Sequence, residues 1–331
     1  MNEDEAKRLV ADAGRMLLDE GLTARTWGNI SCRTDDDRMV ITPSGLGYEG
    51  MTPEDVVPVD METGLWDGAR KPSSEKAVHI AAYRALVDAR FVIHTHQTYA
   101  SALGLAGFPS LVLTAEEKVA LGGVALAGYA LPGTAALARN IAEKLKGGAH
   151  TVLMAHHGAL IAGENRSEAF GRAQLLEAVC RRACKGQPEN VPVCDEALAK
   201  RLTDLAKSAF GHVARTAAAP VLACAEAGKS IPAQLDDTAQ SIGARLPVVK
   251  PEGQAVILAL GEKDVVLVPG VGALCRAATD GDLHALCLLA EKACVCRLHT
   301  QALGVSGRLS WLDTELMRVV FLKKYSKKIG G

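Results

Sequence analysis

Thr151-Val152-Leu153-Met154-Ala155-His156-His157-Gly158-Ala159-Leu160 returns, altered, as Val265-Val266-Leu267-Val268-Pro269-Gly270-Val271-Gly272-Ala273-Leu274. Each copy opens on four residues suited to a buried strand, passes a short turn ending in glycine, and resumes with Ala-Leu. The match runs on without a gap, setting Glu177 on Glu291 and Cys180 on Cys294. Upstream, Tyr99-Ala100 through Phe108-Pro109 lies on Leu222-Ala223 through Ile231-Pro232, at a slightly different offset. Two unrelated apolar strands would not keep their likeness into a following helix. The expectation is therefore a duplication. A complete lobe spans residues 1–190 and a truncated, degenerate copy spans 191–331, joined through the linker-like run from Pro188 to Pro192. The second copy has no counterpart of the front end from Gly28-Asn29 to Ser73-Ser74-Glu75.

Outward from this repeat the chain alternates helix and strand patterns. Ala6 to Glu20 has an apolar side of Leu9, Val10, Ala13, Met16 and Leu17, and Gly21 stands where a helix commonly ends. Short strands are expected at Asn29–Cys32, Met39–Thr42 and Val56–Val59. A helix should run from Ser73-Ser74-Glu75 to about Val87, then a strand over Phe91–His96, a helix over Thr134–Lys146 and a long helix over Ser167–Cys184. The class is mixed α/β.

Composition narrows the functions. The 331 residues carry 37 Lys+Arg against 38 Asp+Glu, and only 4% aromatics. That balance speaks against a nucleic-acid binder, which would want a basic field or a stacking platform. The uncharged run from Val119 to Ala138 is broken by Gly122, Gly123, Gly128, Pro132 and Gly133, so it reads as strand and turn rather than a membrane span. Nine cysteines without a CxxC pair, behind an acidic N-terminus, predict free thiols and a cytoplasmic location.

Three histidines carry the first chemical signal. His94 and His96 are two apart on a strand, so both point to one face. His157 ends another strand and would make a third ligand. Three neutral imidazoles with an open fourth position suit a catalytic zinc ion, or another divalent ion in its place. Continuing the upstream alignment puts Ala217 and Ala219 at the first two positions in the second copy, and Val271 at the third. Packing thus does not demand the histidines. His156 falls on the opposite side of its strand. Glu75, behind Ser73 and Ser74, has two readings: a charge favourable at a helix start, or a general acid/base beside a metal. The serines, with Gly28-Asn29 and Ser44-Gly45, are either ordinary caps and turns or the donors of an anion site. Cys180 with Cys184, and Cys294 with Cys296, read as buried thiols rather than a second metal site. The Lys323–Lys328 cluster reads as a solvated tail.

Taken together these segments resemble the class II aldolase/adducin family, and within it the L-fuculose-phosphate aldolases. The matching text is Gly21-Leu22, Gly28-Asn29-Ile30-Ser31, Ile41-Thr42-Pro43-Ser44-Gly45, Pro72-Ser73-Ser74-Glu75, Ile93-His94-Thr95-His96 and His156-His157-Gly158, over roughly residues 5 to 185. The resemblance implies a three-layer αβα fold with a mainly antiparallel central sheet. It implies one zinc ion per chain on His94, His96 and His157, with Glu75 as acid/base. It implies a substrate phosphate on Gly28, Asn29, Ser44, Gly45, Ser73 and Ser74. The implied reaction is cleavage or formation of a C–C bond in a ketose phosphate through a metal-stabilised enediolate. Sugar-phosphate 4-epimerases of the family usually carry Asp at the Glu75 position, and the non-catalytic adducins lack the histidines. Both are therefore alternatives behind an aldolase.

Two departures stand out. The family's Tyr shortly after the position of Pro109 is replaced around Leu113-Thr114, and its short C-terminal tail is replaced by the second lobe. Single-lobe relatives form rings, so a homo-oligomer is expected, either a dimer of two-lobed chains or a tetramer. The apolar runs Val265–Val268 and Leu286–Leu289 would supply the contact surface.

Overall fold

A computed structural model describes residues 1–23, 27–107 and 111–325, without the side chains of 324 and 325. Phe108 and Pro109 of the upstream alignment, and Ser326 to Lys328 of the basic tail, lie outside the described residues. The chain divides into two compact units, Met1–Ala183 and Cys184–Gly331.

The first unit runs α1 (Glu3–Asp19), β1 (Asn29–Arg33), β2 (Arg38–Ile41), β3 (Val57–Asp60), α2 (Lys76–Ala85), β4 (Phe91–Thr95), α3 (Thr98–Leu105), α4 (Ala115–Ala120), β5 (Val124–Ala127), α5 (Ala135–Lys146), β6 (Thr151–Met154), β7 (Ala159–Gly163) and α6 (Arg166–Ala183). Its seven strands form one sheet in the order β3-β2-β1-β4-β7-β6-β5, antiparallel throughout except for the parallel pair β5–β6. Helices α2 and α5 cover one face. There Val78, Tyr83, Leu137, Ile141 and Leu145 meet Met39, Ile41, Val59, Val92, Val152 and Leu160 in a single buried cluster. Helices α1, α3 and α6 lie on the other face. This is the expected three-layer αβα arrangement. Strand alternation sets Val92 and His94 on the α2 side, which aims the histidine at the start of α2.

Helix α1 forms as its amphipathic pattern requires. The Asn2 side chain accepts from the Glu5 N–H, and three acidic residues fill the first turn. Helix α2 differs from expectation. It begins at Lys76 and ends at Ala85, with Glu75 at the N-cap position and no side-chain cap there. Ser73 Oγ instead accepts from the Glu75 N–H at 3.2 Å. The region around Leu113-Thr114 starts α4, where Thr114 and Glu117 bond each other's backbone in a capping box.

The second unit contains α7 (Glu196–Phe210), β8 (Val213–Thr216), α8 (Ala219–Glu226), β9 (Ile231–Pro232), α9 (Asp236–Ser241), β10 (Arg245–Leu246), α10 (Gly253–Glu262), β11 (Val265–Val268), β12 (Gly272–Arg276), α11 (Asp280–Ala302) and α12 (Trp311–Tyr325). Its three-stranded sheet has the order β11-β12-β8, all antiparallel, the same arrangement as β6-β7-β4. A parallel bridge from Val248 to Leu267 stands where β5 joins β6. Helices α8, α10 and α11 follow or precede these strands as α3, α5 and α6 do in the first unit.

This register corrects one expectation. Thr95 pairs with Ala159, and Thr216 with Ala273. Arg215 therefore stands at the place of His94 and Ala217 at the place of His96, not Ala217 and Ala219. The run Ala217-Ala218-Ala219 gives no side-chain landmark, so a slip of two residues leaves both faces looking alike. A second expectation fails for the first of its two runs. Val265 to Val268 are fully buried, and Val266 and Val268 pack with Leu202, Val256 and Leu260 in the unit's own core, so this run offers no contact surface. In the second run Leu286 and Leu289 are buried and Leu288 is 36% exposed. Among the described residues, no helix is long and apolar enough to cross a membrane.

The two turns after β6 and β11 share a backbone constraint. A Cβ on Gly158 would collide with the Thr95 carbonyl oxygen, and one on Gly272 with that of Thr216. Gly272 also has φ +107°, a region L side chains rarely adopt. Gly272→Ala should destabilise the second unit by about 1–3 kcal/mol. Gly281→Ala, in α11 with nothing within 4 Å of the new methyl, should be neutral or slightly stabilising. Thermal melts of the two variants check this, and equal Tm values would contradict the strand-to-glycine contact.

Candidate metal centre and acid/base site

Three strand ends and one helix start meet at the site. Strand β4 brings His94, and the chain just beyond it brings His96. The turn between β6 and β7 brings His157. Glu75 enters from the start of α2.

The imidazoles converge. His96 Nε2 and His157 Nε2 each lie 3.0 Å from His94 Nε2. His94 and His157 are stacked at 15° with ring centroids 4.8 Å apart. His94 Nδ1 lies 2.9 Å from the Ala159 carbonyl oxygen, across the β4–β7 pair. A carbonyl only accepts, so Nδ1 carries the proton and Nε2 presents its lone pair. Glu75 completes the cluster, with Oε1 3.1 Å from His157 Nε2 and Oε2 3.3 Å from His94 Nε2.

Burial acts on all of these groups. It pushes His94 well below the usual imidazole range, against the pull of Glu75. It works upward on Glu75, but His94 and His157, and hydrogen bonds from His157 and Asn29, outweigh it and hold the carboxyl well below its ordinary range. The carboxylate oxygens and the ring nitrogens thus stand about 3 Å apart, an arrangement that positive charge among them holds together. Three nitrogens on one zinc ion at 2.0–2.1 Å would stand roughly 3.3 Å apart; two of the three pairs here are at 3.0 Å, and all three ligand atoms lie within 4.8 Å of one another. The donor set fits a divalent ion on His94, His96 and His157. Among the described residues this is the one group of His, Cys, Asp or Glu side chains so placed. All nine cysteines are free thiols.

His156 stands apart from the convergence. Its backbone is left-handed at φ +62°, and its ring meets that of Tyr129 edge-on at 5.2 Å.

The expected anion donors are brought together in part. An antiparallel bridge between Pro43 and Pro72 sets Ser44-Gly45 beside Ser73-Ser74. The pairing uses two of the amides, since Ser44 N–H donates to Lys71 O and Ser73 N–H to Thr42 O. The serine hydroxyls are what remain to these two residues as anion donors. Gly28 lies against the His94 carbonyl oxygen, where a Cβ would not fit, so its presence has a packing reason. The Asn29 carboxamide is engaged elsewhere. Its Nδ2 donates to Glu75 Oε2 at 2.9 Å, and its Oδ1 lies 2.5 Å from His79 Nε2.

His79 was not among the residues expected at the site. Its Nδ1 lies 2.7 Å from Ser31 Oγ, which lies 2.8 Å from Tyr83 Oη. A signal was present in the sequence: Glu75, His79 and Tyr83 recur at four-residue spacing, which aligns them on one face of α2.

Comparison with known proteins agrees with this geometry. Residues 8–184, more than half of the chain, match the model of the class II aldolase and adducin N-terminal domain. A 5-methylthioribulose-1-phosphate/5-deoxyribulose-1-phosphate aldolase of Rhodospirillum rubrum is 35% identical over 188 residues, covering 55% of this chain and 83% of that protein. An L-ribulose-5-phosphate 4-epimerase of Salmonella paratyphi C is 43% identical over 103 residues, covering 30% of this chain and 45% of that protein. A solved L-fuculose 1-phosphate aldolase superposes with a TM-score of 0.51 at 33% identity, covering 58% of this chain and 92% of its own. With its first unit built on that fold and its histidines gathered at the strand ends, the chain belongs to the class II aldolase and adducin family.

Proposed function

We propose that the first unit is a metal-dependent aldolase that breaks or forms a C–C bond in a small ketose phosphate. The observation that carries this reading is the convergence of three imidazole nitrogens, with an ionised carboxylate beside them. A bound divalent ion, zinc by preference, would act as a Lewis acid on the substrate carbonyl and stabilise the charge left as the C–C bond breaks.

The chain's own residues do the rest. The Ala159 carbonyl fixes the His94 tautomer. Glu75 handles the proton. In the joining direction Glu75 takes a proton from the carbon next to the carbonyl, while the aldehyde oxygen gains one as it becomes the new hydroxyl; cleavage runs both transfers in reverse. Its depressed pKa keeps it ionised and ready as a base at neutral pH. The hydroxyls of Ser44, Ser73 and Ser74, with the backbone around Gly28, Asn29 and Gly45, form the cradle assigned to the substrate phosphate. Glu75 favours an aldolase over an epimerase, and the three histidines favour an enzyme over an adducin-like binding protein.

The second unit, on this reading, is a degenerate copy spanning 191–331. It keeps the strand order and the glycine contact, but carries Arg215, Ala217 and Val271 at the ligand positions. The working protein is a homo-oligomer.

One divalent ion per chain is expected. His96→Ala should strip it while changing Tm little, and unchanged metal by elemental analysis would refute the ligand set.

A panel of ketose 1-phosphates, assayed for aldehyde and three-carbon ketone phosphate release on a sample of known metal content, tests the reaction. Glu75→Gln should keep the ion and lose about 10²–10⁴-fold in turnover. A variant with normal turnover and a slightly lower Tm would make Glu75 a helix-start charge only.

A further inference from the structure

Behind Glu75 a buried file of polar groups runs through the first unit: Asn29, His79, Ser31 and Tyr83. Asn29 is 5% exposed, and Ser31, His79 and Tyr83 are 1% or less. Such a network inside an apolar layer is costly unless every member is satisfied. None of these side chains reaches the three converging histidines, so ligation does not explain them.

One hydrogen bond sets the direction of the rest. The Asn29 amide donates its Nδ2–H to Glu75 Oε2 at 2.9 Å. That leaves Asn29 Oδ1 facing His79, and a carbonyl can only accept, so the proton of His79 sits on Nε2. His79 Nδ1 is then a lone pair and accepts from the Ser31 hydroxyl. Ser31 Oγ in turn accepts from the Tyr83 hydroxyl. Burial keeps His79 neutral, its pKa pushed down to about 4, so its tautomer is preserved at neutral pH. All four groups donate toward the carboxylate.

We propose that this file is a positioning device. It pins Glu75 through Oε2 and leaves Oε1, which faces His157, as the oxygen that takes and returns the proton. The inference rests on the reading of Glu75 as acid/base. Asn29 and His79 act as positioning residues, His79 through Asn29. If Oε2 were to carry the proton, Asn29 would have to turn over, and His79 would have to move its proton to Nδ1. Protonation at Oε1 requires neither. With His79 replaced by an apolar group, nothing fixes the amide orientation, and Asn29 is free to present Oδ1 to the carboxylate.

The experiment uses the full metal-loaded chain and two kinds of readout. Long-range ¹H–¹⁵N spectra of histidine-labelled protein report the tautomers without turnover. His79 should show a neutral ring protonated at Nε2 with Nδ1 as acceptor. A ring protonated at Nδ1 overturns the proposal, whether or not any substrate is turned over. Kinetics then separate positioning from packing, on whichever ketose 1-phosphate the panel yields. His79→Leu should lower kcat about 10–100-fold with KM and metal content little changed. His79→Gln, which keeps an N–H for Asn29, should recover most of it. Tyr83→Phe leaves the Ser31 donor in place and should cost much less. Normal kcat in His79→Leu, no recovery with Gln, or an equal loss in Tyr83→Phe would each overturn it. If His79→Leu does not fold, the wild-type tautomer and the Gln and Phe variants still decide. Failure of every ketose phosphate, with the Nε2–H tautomer intact, would instead count against the aldolase reading and leave the pinned carboxylate standing.

Discussion

The site depends on the pairing of β4 with β7. That ladder places the Ala159 carbonyl under His94 Nδ1, and the hydrogen bond turns the other ring nitrogen outward as a lone pair. The same ladder brings the turn after β6 against β4, where Gly158 leaves room for the Thr95 carbonyl. His157 comes next to His94 because the backbones touch there. A bulkier residue at 158 would part the strands and, with them, the two nitrogens. The convergence of the imidazoles is therefore a consequence of sheet register, with strand ends acting as rigid mounts.

Electrostatics then sets what the pocket accepts. A buried carboxylate stands about 3 Å from the His94 and His157 ring nitrogens, and such a cluster of oxygens and nitrogens suits a cation. The carboxylate is also tied from behind by Asn29. Oε2 accepts from Asn29 and also stands 3.3 Å from His94 Nε2, whereas Oε1 faces His157 Nε2 at 3.1 Å. The two oxygens of one side chain thereby sit in different environments.

Much of the first unit was legible in sequence because its strands and amphipathic helices have clear periods. The phenylalanine-to-threonine run at β4 and the Asn-to-Arg run at β1 fall where residue pattern puts them. Helix α3 was not legible: Thr98 to Leu105 is apolar all round and largely buried, so it has no amphipathic stripe to read. The three histidines were legible because HxH on a strand fixes a common face. The commitment of the Asn29 side chain was not. Its partners Glu75 and His79 lie 46 and 50 residues away in sequence, and only the β1–β4 register with α2 packed above it brings them into reach. Sequence spacing within one element predicts geometry, whereas contacts between elements wait on the sheet order.

Read as a copy of the first, the second unit separates constraints of the fold from those of the proposed chemistry. It retains the antiparallel β11-β12-β8 order, the Gly272 contact with the Thr216 carbonyl, and a glutamate on α11 bonded to Thr216 Oγ1. In the first unit the matching Glu177 instead accepts from the Tyr99 and Ala100 amides at the start of α3. Both glutamates tie the long helix to the end of the central strand or the helix that follows it, so the tie serves the fold. The ligand positions show the opposite pattern. Arg215 donates to Glu196 and Cys194 and so is absorbed into an ordinary surface network, while Val271 is fully buried. Where imidazoles are absent, the strand ends are filled by a paired cation and an apolar side chain, and the sheet closes as well. On that reading the histidines of the first unit are not required by packing, in line with the proposed metal site.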